Sequence, residues 1–97
     1  MCIVNDWMAA TFVLEAMHRG VRVPEDVSVV SLDNMLAARY AAVPLTAISQ
    51  PIKEISEAVV ELVMSRLENR YTGEPRQVVV RGDLVKRQST APAPVLV

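Results

Sequence analysis

The chain has one cysteine, one histidine, three glycines and no apolar run near the roughly 18 residues a membrane span requires, and each scarcity removes a class of function. A lone cysteine, Cys2, closes no internal disulfide, fits a reducing compartment, and reads as a small buried apolar residue in a strand. His18 stands near a helix end, where a cation complements the dipole, with no serine or cysteine placed as a nucleophilic partner. Ligands for a metal are too few, and the three glycines are isolated, so no phosphate-cradling loop exists. Ten Lys and Arg against eleven Asp and Glu leave a net charge of −1 with the basic residues scattered, which excludes an electrostatic grip on a nucleic-acid backbone. The N-terminus lacks the basic flank and cleavage site of a signal peptide. The expectation is a non-enzymatic, cytoplasmic chain without cofactor, metal or membrane.

What is present reads as a folding unit. With 97 residues, 52% hydrophobic and 22% charged, one small and marginally stable domain is allowed. The chain opens inside a strand, "MCIV", which suggests a piece of something longer. From Asn5 the apolar residues Ala9, Phe12, Val13, Ala16 and Met17 fall at helical spacing; Asn5 or Asp6 caps the start and Gly20 closes the end. After the turn "VRVPEDV", the β-branched run "VSVVSL" has the character of a strand covered on both faces, and strand, helix, strand in so short a span is a parallel βαβ unit. A short helical turn is expected at Leu36 to Tyr40, and a third strand at "LTAIS", stopped by Pro51. A long amphipathic helix follows through Ile52, Ile55, Val59, Leu62, Val63 and Leu67 to about Arg70, ended by "YTGEP". "QVVV" and "DLVKRQS" are late extended segments, and 91–97 is a loose tail.

Two of the strands end in polar residues: "CIVND" in Asn5 and Asp6, and "VVSLDN" in Asp33 and Asn34. In an open parallel sheet, ligands bind outside the carboxyl ends of the strands. If the third strand is parallel too, Gln50 joins Asn5, Asp6 and Asp33 at that edge, a set of amides and carboxylates suited to a small polar molecule. The plainer alternatives remain open: Asp6 as a helix cap, and Asp33-Asn34 as a turn-forming pair.

The segments "CIVNDWMAATFVLEAMHRGVRVPEDVSVVSLDN", "ARYAAVPLTAISQPIKEISEAVVELVMSRLE" and "VVVRGDLVKRQST" resemble, in order and at matching spacing, the C-terminal part of the effector-binding domain of LacI/GalR-type bacterial transcription regulators. The resemblance covers residues 2 to 90 and implies part of a periplasmic-binding-protein-like α/β fold of two lobes. It implies that residues 1–90 are a partial effector-binding domain, in which 52–70 belong to the other lobe and the chain crosses at about Gln50. Asn5, Asp33 and Gln50 then match positions that line the cleft for a sugar or purine-like effector, and Ile52 a frequent apolar cleft position. Asp6 matches a cap and support. Trp7, Met8 and Ala10 on the first helix, with Met35, Leu36 and Tyr40, correspond to the subunit interface, so a homodimer is implied. DNA would be reached only through an N-terminal helix-turn-helix that this chain does not contain.

There are departures from the pattern. Ser31 stands where a glycine is usual, Leu32 replaces an aromatic, and Val4 replaces a small residue. A phospho-acceptor receiver domain would also put an aspartate at a strand end, but its strand-end lysine is missing. The remaining alternative is an interaction module, or a remnant without ligand binding, built on an apolar patch of Trp7, Met8, Met35, Leu36 and Tyr40.

Overall fold

The side chain of Asn5 begins the first helix by accepting hydrogen bonds from the backbone N–H groups of Trp7 (3.1 Å) and Met8 (3.3 Å), which satisfies two of the donors a helix start leaves unpaired. Helix α1 then runs Asp6–His18. Gly20, at φ 77, ends it: Gly20 N–H bonds to Met17 C=O (3.1 Å) and Val21 N–H to Ala16 C=O (2.8 Å), a closure that needs a left-handed residue at this position. The computed structural model describes residues 1–94, and positions 95–97 of the expected loose tail lie outside the described residues.

The other elements are β1 (Cys2–Ile3), β2 (Val30–Asp33), α2 (Leu36–Arg39), β3 (Thr46–Ser49), α3 (Ile52–Leu67) and β4 (Asp83–Val85). They fall into two compact units, 1–50 with 83–97, and 51–82. In the first, the four strands form one sheet in the order β1-β2-β3-β4. β1, β2 and β3 are mutually parallel, as expected, and β4 runs antiparallel to β3 with Ile48 opposite Leu84. α1 lays Ala9, Val13 and Ala16 into a core completed by Val23, Val29, Ala38, Leu45 and Ala47. Ile3, Phe12, Val27 and Val43 pack around it. Four of these eight core residues are alanines, so the layers approach closely and little apolar volume is enclosed.

Polar stitching from the chain that follows β4 completes the unit. Ser89, fully buried, donates its hydroxyl to Val29 C=O (2.5 Å) and accepts from Thr46 N–H (2.8 Å). The Arg87 guanidinium donates to Leu45 C=O (2.8 Å) and to the Asn34 side chain (2.6 Å).

In the second unit α3 ends by the same closure as α1, with Asn69 at φ 55 in the glycine's role and Arg70 N–H bonded to Ser65 C=O (2.9 Å). Beyond it the Tyr71 ring lies between the guanidinium groups of Arg76 and Arg66, 4.0 and 4.8 Å from its centroid.

Several expectations need correction. Cys2 is exposed, not buried, because β1 is a two-residue strand hydrogen-bonded on one side only. β2 starts at Val30, since the Val29 N–H is taken by Ser89 C=O (2.9 Å) before the ladder begins. α3 stops at Leu67; Asn69 supplies the left-handed turn that "YTGEP" was expected to make. "QVVV" forms no ladder among the described residues. No helix among them is long and apolar enough to cross a membrane.

Candidate functional site

Parallel pairing places the carboxyl ends of β1, β2 and β3 along one edge of the sheet, and Asn5, Asp33 and Gln50 follow those ends. Asp33 is the last residue of β2, half-buried, and its carboxylate accepts a hydrogen bond from the amide of Gln50, just beyond β3. Of the expected site residues these two are brought into direct contact. Asp33 sits at φ 117 and Asn34 at φ 63, both outside the range side chains prefer. A non-glycine residue at such a φ costs on the order of 1–3 kcal/mol and persists only where its surroundings fix it. The fixing contacts are the Gln50 amide on Asp33 and the Arg87 guanidinium on Asn34. Asp33-Asn34 is therefore a strained turn, and its carboxylate lies beside Gln50 at the carboxyl end of β3.

Of the two residues that could have capped α1, Asn5 takes the role and Asp6 does not. Asn5 is the helix cap, because its Oδ1 lies over the first-turn N–H groups, and its Nδ2 is left toward solvent on an exposed residue. Asp6 is not the cap. It is 2% exposed, with Oδ1 accepting from the Ser31 hydroxyl (2.7 Å) and Oδ2 from Met35 N–H (2.5 Å). A buried carboxylate with every oxygen bonded tolerates its position; with a partner removed it would not. Ile52 belongs to the second unit, where it opens α3 with an exposed side chain.

The expected interface residues Trp7, Met8, Met35, Leu36 and Tyr40 are all exposed, Trp7 by 76% and Tyr40 by 79%. They are carried by α1 and by the α2 segment packed against it. Ala10 departs from the set: it is half-buried and packs on the core of its own chain, since it turns toward the face that holds Ala9 and Val13.

Two residues of this neighbourhood had no role in the sequence. The Ser31 hydroxyl donates to the buried Asp6; a small polar residue inside a β-branched run was the available signal. Arg87 was visible only as one letter of the "LVKRQST" pattern, and its contact with Asn34 spans too many residues for spacing to suggest it.

No group of three or more metal-ligating side chains occurs among the described residues. The side chains at the edge offer hydrogen bonding: a carboxylate that accepts, and amides that donate and accept.

A family model described as a periplasmic binding protein-like domain matches residues 1–90. The chain is 36% identical over 88 residues to the HTH-type transcriptional regulator DegA of Bacillus subtilis, covering 91% of this chain and 26% of DegA. It is 36% identical over 90 residues to the HTH-type transcriptional repressor PurR of Escherichia fergusonii, covering 93% of this chain and 26% of that repressor. The solved structure of a transcriptional regulator CelR–cellobiose complex superimposes with a TM-score of 0.80 at 30% identity, over 91% of this chain and 27% of that one. The chain thus spans about a quarter of the length of these relatives, which are named as transcriptional regulators. The chain belongs to the periplasmic binding protein-like domain family, and the relatives it matches are transcription regulators.

Proposed function

We propose that the chain forms the C-terminal part of the effector-binding and dimerisation domain of a LacI/GalR-type regulator, and that its strand-end edge binds a small hydroxyl-rich molecule of the sugar class. The observation that carries this reading is the Asp33 carboxylate meeting the Gln50 amide at the carboxyl ends of parallel strands. Asp33 would accept from a ligand hydroxyl, Gln50 would donate and accept, and the exposed amide of Asn5 would add a donor. A relative solved with cellobiose supports the sugar class. In a whole regulator, ligand bound at such a site shifts the population of domain arrangements, and DNA is reached through a separate helix-turn-helix.

The test is the thermal melt of the purified chain with D-ribose, cellobiose and hypoxanthine. One sugar at about 100 times its dissociation constant should add roughly 2.7 kcal/mol and raise the midpoint, and Asp33→Asn should abolish the rise. A cooperative melt that no probe moves would sink ligand binding by this chain.

A second reading rests on the exposed apolar residues around Trp7 and Tyr40: self-association as a homodimer. Asp33→Asn should spare it, whereas Trp7→Ser should reduce it in sedimentation equilibrium. A monomer at every concentration would exclude it.

A further inference from the structure

Three consecutive residues connect the candidate ligand site to the exposed apolar face. Asp33 ends β2, Asn34 continues the turn, and Met35 is the N-cap of α2, which carries Leu36 and leads into Tyr40. Each is held by a side chain from elsewhere: Asp33 by Gln50, Asn34 by Arg87, and the Met35 N–H by Asp6. Met35 makes no side-chain cap bond for the helix it starts, and its own backbone N–H is bonded to the buried Asp6 carboxylate.

We infer that Asp6 is the positioning residue through which occupancy of the strand-end site is communicated to α2 and the apolar face it bears. This rests on the ligand reading above for what occupies the site, but not for the mechanical link. A molecule that hydrogen-bonds to both the Asp33 carboxylate and the Gln50 amide competes with the bond between them, one of the contacts holding Asp33 at φ 117. The backbone then relaxes in one direction. Toward the N-terminus it is pinned, because Ser31 is in register with Ala47 and its hydroxyl is bonded to Asp6. Toward the C-terminus lie Asn34 and the Met35 N–H, whose bond to Asp6 converts a change in the turn into a change at the first residue of α2. By linkage, a partner that favours one position of α2 alters affinity at Asp33 by the same factor.

The test needs no ligand. Amide hydrogen exchange, resolved by residue, is measured on the purified chain and on Gln50→Ala, Asp6→Asn and the double variant. Gln50→Ala should change exchange of the Met35 to Tyr40 amides by about fivefold or more, the lower end of ordinary coupling, with the Val13 and α3 amides unaltered. In the Asp6→Asn background the effect of Gln50→Ala should vanish, which loss of general stability would not produce. If Asp6→Asn does not melt cooperatively, Ser31→Ala, which frees one Asp6 oxygen, takes its place, and the Gln50→Ala effect should then shrink. Exchange at Met35 to Tyr40 indifferent to Gln50→Ala, or a Gln50→Ala effect undiminished without Asp6 or Ser31, overturns the inference. A silent sugar panel with the exchange pattern intact would remove the ligand reading and leave the link standing. Where D-ribose or cellobiose binds, it should shift the same amides in the wild type and leave them unmoved in Asp6→Asn.

Discussion

The two units of the chain contain helices written by the same rule and end with different burial. α1 presents Ala9, Val13 and Ala16, and all are buried beneath it. α3 presents Ile52, Ile55, Val59, Leu62, Val63 and Leu67 at equally regular spacing, yet Leu67 is 70% exposed and Val63 50%, and the one buried residue of the helix is Ser65. Periodicity in a sequence therefore specifies a face, and a sheet or second helix must supply what covers it. In the first unit β1, β2 and β3 do so; the segment beyond α3 contributes turns and the unpaired "QVVV".

The widest separation between the units should come from truncating one apolar side chain in each. Leu45 is fully buried, so Leu45→Ala should cost about 2–5 kcal/mol, enough to remove the cooperative transition of a small domain. Val63→Ala should change stability by less than about 0.5 kcal/mol, within the range of surface substitutions. Urea unfolding followed by circular dichroism measures both. A large loss for Val63→Ala would mean that α3 buries this face in solution, and the contrast between the units would collapse.

A finer comparison takes one buried serine from each unit, Ser89 and Ser65. Ser89→Ala leaves the Thr46 N–H without its acceptor inside the core and should cost about 1–3 kcal/mol. Ser65 donates back to Leu62 C=O within its own helix (2.9 Å) and accepts from the exposed Arg76, which water can satisfy equally well. Ser65→Ala should therefore cost less than about 1 kcal/mol. Equal losses at the two sites would show that the second unit is as tightly closed as the first.

How far the sequence could be read follows the same division. Everything carried by local spacing was legible: α1, its Gly20 end, the βαβ order, α2 and the strand-end polar residues. Whatever depended on partners remote in the chain was not. Asn5 and Asp6 were adjacent candidates for one cap, and which took it was decided by Ser31 and Met35, far along the chain, offering Asp6 a buried alternative. Cys2 in an apolar stretch looked buried, but the neighbour that would cover it is not set by its own segment. The resemblance supplied Asp33 and Gln50 as site residues; their contact, and the strained turn it holds, needed the strands in register.

The smallest expected effect concerns charge. Each unit has an exposed ionic cluster: Arg22 with Asp26 (2.9 Å), and Arg70 with Glu61 (3.0 Å) and Glu68 (2.7 Å). The first differs because Asp26 also accepts from the Arg22 backbone N–H (2.8 Å), while Asp26 N–H returns to Arg22 C=O (2.9 Å), so the pair closes a turn and is not held by side chains alone. The hydrogen bonds from the Arg22 side chain, and then from its backbone, lower the Asp26 pKa below the ordinary aspartate value. A carboxylate whose folded pKa is depressed stabilises the fold above its unfolded pKa, and that contribution is lost as pH falls through the lowered folded value. Both groups are water-exposed, so the stability change should be slight. An NMR titration of the Asp26 carboxyl reads the effect directly: the midpoint should fall below that of an unstructured aspartate and return most of the way in Arg22→Gln. Raising the salt concentration should recover only part of the shift, because hydrogen bonds at contact are screened less than separated charges. An ordinary midpoint in the wild type would mean that the Arg22 turn is open in solution, and the two ionic clusters would then be alike.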